Sequence, residues 1–119
     1  MKLKALVTAE VIREKLQERF TDTIDFTYDG YYLDHEVMPH AELVKKVKGV
    51  DILICEYDTV SKDVLDAADK LRLIICCRGG VKTVIDLEAA RAVDGRRLIE
   101  AGVYGGHGGN INDGIPANF

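Results

Sequence analysis

The sequence predicts an α/β fold, a mostly parallel sheet covered by helices on both faces. Three observations carry this. Short apolar runs alternate with amphipathic stretches over the first seventy-odd residues. Two of the runs, Asp51–Cys55 and Leu71–Cys77, are almost wholly apolar, as strands buried on both faces must be. The connections between runs are long enough for right-handed helical crossovers.

Taken in order, Lys4–Thr8 reads as a short strand. Glu10–Phe20 follows, with Val11, Ile12, Leu16 and Phe20 at helical spacing. Thr23–Tyr28 alternates apolar and polar with period two, the pattern of a half-exposed strand, and Asp29-Gly30 breaks it. Pro39–Gly49 suits a second helix, with proline in the first turn and glycine just past the end. After the strand Asp51–Cys55, Ser61 is placed to cap a third helix in which Val64, Leu65 and Ala68 face inward. The strand Leu71–Cys77 leads into the turn Arg78-Gly79-Gly80, and Asp86–Ala92 starts a fourth helix. Beyond Val93 the chain changes character: six of its 11 glycines fall between Gly102 and Gly114, a run that is entropically costly to order and reads as a frayed end.

Composition narrows the function. With 119 residues the chain is one domain, and with 47% hydrophobic and 30% charged residues it is an ordinary globular one. Sixteen basic against 20 acidic residues give a net charge of −4, which argues against nucleic acid or a membrane surface as partner. No apolar run approaches the roughly 18 residues of a membrane span, and Met1-Lys2-Leu3-Lys4 does not open a signal peptide. Cys55, Cys76 and Cys77 sit in apolar runs without C-x-x-C spacing, so they read as reduced, buried thiols of a cytoplasmic protein. His35, His40 and His107 form no ligand cluster, and no metal is expected.

In an open parallel sheet, ligands gather outside the carboxyl ends of the strands. The turns to inspect therefore follow Thr8, Cys55 and Cys77. The most informative is Arg78-Gly79-Gly80-Val81. Two glycines after a buried strand let the backbone turn tightly and leave N–H groups free to form an anion-binding concavity, to which Arg78 or Lys82 can add charge. A plain strand-to-helix turn with a solvated arginine is the competing reading. Glu56, Tyr57 and Asp58 follow the third strand and face the same cleft, to touch a ligand or to line its rim. Tyr28, Tyr31 and Tyr32 read as cover for a sheet edge rather than a recognition patch, and Asp34, His35 and Glu36 as a solvated turn.

The residues also carry a resemblance. The run Asp63–Ile74, then Arg78-Gly79-Gly80, then Val84-Ile85-Asp86-Leu87-Glu88-Ala89-Ala90, resembles the N-terminal domain of the D-isomer-specific 2-hydroxyacid dehydrogenases. The likeness covers about residues 3–92. It implies a flavodoxin-like three-layer sandwich over 1–92, forming one wall of an active-site cleft, with 93–119 a divergent glycine-rich tail. It implies that Arg78, Gly79, Gly80 and Val81 bind the carboxylate of a small 2-hydroxy or 2-oxo acid through backbone N–H groups. It assigns NAD(P), the catalytic histidine–glutamate pair and the substrate arginine to a second, nucleotide-binding domain. No G-x-G-x-x-G occurs in these 119 residues, so the chain alone is expected to bind no cofactor and to carry no catalytic residue. A sheet domain that loses the domain it leans on exposes an apolar wall, so a homo-oligomer is expected. The alternatives are a stand-alone flavodoxin-like binding module and a non-catalytic domain that self-associates. Thr8-Ala9-Glu10 lacks both the paired acids of a phosphoacceptor receiver and the phosphate loop of a flavin binder.

Overall fold

The computed structural model describes residues 2–11, 13–20, 22–76 and 99–103. They form strands β1 (Leu3–Val7), β2 (Ile24–Tyr28), β3 (Ile52–Cys55), β4 (Leu73–Cys76) and β5 (Ile99–Val103), with helices α1 (Arg13–Phe20), α2 (Tyr31–Asp34), α3 (His40–Lys46) and α4 (Lys62–Ala67) between the first four. The sheet order is β2-β1-β3-β4-β5, and every described pairing is parallel. This is the doubly wound order of flavodoxin-like folds, so the expected fold class holds.

The apolar runs do what their pattern predicts. Ile52 and Ile54 point to one face of β3 and Leu53 and Cys55 to the other, and all four are fully buried. On one face Leu6, Leu53, Cys55 and Ile74 pack against Leu43 of α3 and its C-cap Val47 and against Val64 and Leu65 of α4. On the other, Ala5, Val7, Ile52, Ile54, Leu73 and Ile75 gather with Ile24 and with Phe20 of α1. Val64, Leu65 and Ala68 are buried, as their spacing requires. Cys55 is a buried thiol outside any disulfide.

Four local readings are corrected. The first helix begins at Arg13 rather than Glu10, because the chain past Val7 runs on beside the end of β3, where the Thr8 N–H donates to the Ile54 carbonyl and the Glu10 N–H to the Glu56 carboxylate. Pro39 is the N-cap of α3 rather than a residue of its first turn, and α3 ends at Lys46. Ser61 sits at the N-cap of α4 with extended backbone, yet its hydroxyl caps no N–H; it donates to Asp63 and meets His40. Finally, Ile99–Val103 is a fifth strand beside β4, so this part of the glycine-rich tail is not frayed. Pairing there covers the hydrogen-bonding edge that β4 would otherwise expose.

One glycine is placed by its backbone. Gly30, just past β2, has φ 56° and ψ −128°, and a Cβ built there would stand 2.9 Å from Met38 Cε. The methionine end can move aside; the backbone conformation is what side chains resist. Gly30→Ala is expected to destabilise the fold by about 1–2 kcal/mol, read as a lowered denaturation midpoint at unchanged m-value.

Candidate functional site at the strand ends

The strand order reverses direction between β1 and β3, and the crevice outside their carboxyl ends is the natural ligand position in such a sheet. Three segments meet there: Thr8–Glu10 after β1, Gly30–His35 after β2, and Glu56–Asp58 after β3. Thr8 continues β1, its N–H donating to the Ile54 carbonyl at 2.8 Å, which carries the following residues alongside the end of β3. The Glu10 N–H then donates to Glu56 Oε1 at 3.0 Å, tying the two strand ends together. Glu56 is buried at this junction.

Above this tie lie two aromatic rings. Tyr31 and Tyr57 approach to 4.7 Å between centroids at 60°, and His35 stands edge-on to Tyr31 at 5.4 Å. Nε2 of His35 reaches Glu10 Oε1 at 3.8 Å. The Tyr31 hydroxyl is held above its ordinary pKa by burial first, then by Tyr57, Glu56 and Glu10, all of which disfavour a further negative charge.

Asp58 is the unusual residue. It is 1% exposed, and among the described residues neither carboxylate oxygen has a hydrogen-bond partner. Burial pushes its pKa up; the Thr8 hydroxyl and its own backbone N–H lie close enough to oppose the rise without meeting hydrogen-bond geometry. Thr8 itself is fully buried, its hydroxyl directed at the Ile54 carbonyl 3.4 Å away.

The residues singled out in sequence divide accordingly. Glu56, Tyr57 and Asp58 do stand at the strand ends. The tyrosines split: Tyr28 and Tyr32 pack together at 4.6 Å on the edge strand β2, where Arg13 covers the Tyr28 ring at 4.9 Å, while Tyr31 turns toward Tyr57. Asp34 accepts from the Glu36 N–H at 3.0 Å and His35 faces Glu10, so the trio does not converge on an ion. Among the described residues no group of three His, Cys, Asp or Glu side chains could hold a metal. Arg78, Gly79, Gly80 and Val81 lie outside the described residues, as do Cys77, the Asp86–Ala92 helix and His107.

Two other features are set aside on geometry. Ser61, His40 and Asp63 form a surface cluster, but both partners reach the same His40 nitrogen and the serine gives its hydrogen to Asp63. A serine that donates to the acid is no nucleophile. A groove of about 480 Å³ runs over β1 and β2 beside α3, lined by Lys4, Leu6, Asp25, Thr27, Lys46 and Val50. Lys46 within it is paired with Asp29, whose carboxyl it holds below the ordinary range, so the groove offers no unmatched charge from that pair.

The sheet order and the strand-end crevice can be set beside known proteins. The sequence pattern of the D-isomer specific 2-hydroxyacid dehydrogenase catalytic domain matches residues 5–94. The chain belongs to that family. Family membership bears out the resemblance read at residues 63–90. The TT0316 protein from Thermus thermophilus is 29% identical with a TM-score of 0.63, over 83% of this chain. A putative D-isomer specific 2-hydroxyacid dehydrogenase, NAD-binding, from Polaromonas sp. is 18% identical with a TM-score of 0.67, over 83% of this chain. D-lactate dehydrogenase from Escherichia coli is 19% identical with a TM-score of 0.58, over 84% of this chain. The present chain spans 30% of each of these three. No curated protein is a significant match.

The described residues do not fit a dinucleotide. A pyrophosphate needs a glycine-rich turn after the first strand with N–H groups free to point at it. Here the turn is Thr8-Ala9-Glu10, its terminal N–H already serves Glu56, and the Glu10 and Glu56 carboxylates would repel phosphate. A family cofactor would have to be seated by other residues.

Proposed function

We propose that this chain supplies the substrate-binding wall of a 2-hydroxyacid dehydrogenase, holding the carboxylate of a small 2-oxo or 2-hydroxy acid at Arg78, Gly79, Gly80 and Val81. The family match over 5–94, which includes that turn, carries the proposal. The crevice outside β1 and β3 supports it, since a turn following β4 borders the same end of the sheet. Backbone N–H donors there would orient the acid, with Arg78 adding charge. In the family reading NAD(P) belongs to a second domain, and when bound it donates or accepts the hydride. The 119 residues alone neither seat NADH nor reduce a 2-oxo acid in this account.

Calorimetry on the chain tests this. Glyoxylate should bind at about millimolar strength, since a few charge-assisted bonds from half a cleft leave little after ordering the ligand. Gly80→Val should weaken binding more than Arg78→Ala, because the first blocks backbone approach and the second removes one charge. NADH should give no saturable heat at micromolar concentration. Equal loss in both variants, or tight NADH binding, overturns the proposal.

Self-association is the second reading, and it is compatible with the first. Leu33 and Val37 are large apolar side chains left exposed, at 62% and 46%, in the segment after β2. Sedimentation should find a dimer or larger assembly at high micromolar concentration; a monomer contradicts it.

A further inference from the structure

We propose that two copies of this chain pack reciprocally, each setting Leu33 and Val37 into the groove over β1 and β2 of the other, with Glu36 of one copy beside Lys4 of the second. The inference rests on the self-association reading and adds the surfaces that meet.

The first observation is the segment that runs from α2 toward α3. All five residues of Leu33–Val37 are exposed, in the order apolar, acid, histidine, acid, apolar. No other large apolar side chain among the described residues is as exposed as Leu33 and Val37. Single apolar side chains at a surface are ordinary, but two on one short exposed segment give a partner something to bury. Between them, Asp34 accepts from the Glu36 N–H and His35 faces Glu10. The Glu36 carboxylate has no partner among the described residues.

The second observation is the groove of about 480 Å³ over β1 and β2 beside α3, where Leu6, Thr27 and Val50 offer apolar atoms. That volume admits a few side chains. Helix α2, the first of the crossover between β2 and β3, is one turn long with no buried residue, and neither Leu33 nor Val37 lines the groove of its own chain. Of the groove's four charged residues, Asp29 is paired with Lys46, and Asp25 with Lys2 at 3.5 Å. Lys4 is left without an acid among the described residues. An apolar pair with an unmatched acid between thus meets a partly apolar groove with an unmatched lysine. The two surfaces are also neighbours, since the segment belongs to the connection from β2 to α3 and those elements bound the groove. A two-fold dimer uses such an arrangement, each copy giving one surface and taking the other. Burial of Leu33 and Val37 supplies the affinity, and an ion pair at an exposed rim mainly fixes the register.

Sedimentation equilibrium of the full chain, from low to high micromolar concentration, reads the dimer dissociation constant. Leu33→Asp should raise it at least about tenfold, and so should Thr27→Arg, which fills the groove from its floor. Lys4→Glu and Glu36→Lys should each weaken the dimer severalfold. The double variant should return toward the native value, because each reversed charge meets its opposite again. All four residues are exposed, so these changes should leave the denaturation midpoint in place. A dimer that Leu33→Asp and Thr27→Arg leave intact, or charge reversals whose effects add in the double variant, overturn this interface and leave self-association standing. A native chain that stays monomeric overturns both.

Discussion

Ile54→Ala lowers the unfolding free energy by about 2–5 kcal/mol. Ile54 lies in the central strand β3, in register with Val7 of β1 and Ile75 of β4, and all three are fully buried. Removing its branched end leaves a cavity lined by strands that cannot close on it, since each is fixed by ladders on both sides. Because two crossovers depend on β3, the loss is felt across the sheet rather than at one edge. Lys45→Ala, on the exposed side of α3, is the control and should change stability by no more than about 0.5 kcal/mol. Chemical denaturation of both variants reads the difference directly.

At pH above the ordinary carboxylate range, Asp58→Asn raises stability by about 1–3 kcal/mol, because it removes a charge that burial disfavours while keeping the shape of the carboxyl. The sign follows from linkage. Burial raises the pKa of Asp58 in the folded state, so between the unfolded and folded values the folded chain holds a proton that the unfolded chain has released. Stability of the native protein therefore falls as pH rises through that window, by this group's contribution. Below the unfolded value, near 3.8, both states are protonated and the contribution vanishes. The gain from Asp58→Asn should accordingly be absent at pH 3 and grow as pH rises above 3.8. A variant less stable than the native chain at pH 7 would mean that Asp58 has a stabilising partner.

Much of the fold is legible in the sequence because it rests on unbroken apolar runs. Ile52–Cys55 and Leu73–Cys76 have no polar face to mislead, and Val64, Leu65 and Ala68 keep helical spacing. The single turn α2 leaves no such mark, since Asp29-Gly30 reads as a break and four residues are too few to show a period. It ends at His35, which adopts φ 60°, a conformation unusual for a residue with a side chain. Strand β5 is obscured by the glycines that follow it. At the strand ends, Glu56, Tyr57 and Asp58 are visible as neighbours of a buried strand. Their partners are not. The Glu10–Glu56 tie spans 46 positions, and the Tyr31–Tyr57 contact joins segments that only the crossover brings together. That Asp58 is buried without a hydrogen-bond partner among the described residues is a property of packing, and residue type and spacing carry no sign of it.

The proposed grip on a 2-oxo or 2-hydroxy acid holds its carboxylate at Arg78, Gly79, Gly80 and Val81. NMR titration of the chain with glyoxylate and D-glycerate, with acetate as control, tests it most directly. Backbone amides between Cys77 and Lys82 should shift with both ligands, saturating at about millimolar concentration, and shift far less with acetate. Amides that stay in place, or that move equally with acetate, would contradict it and reduce Arg78-Gly79-Gly80-Val81 to a turn.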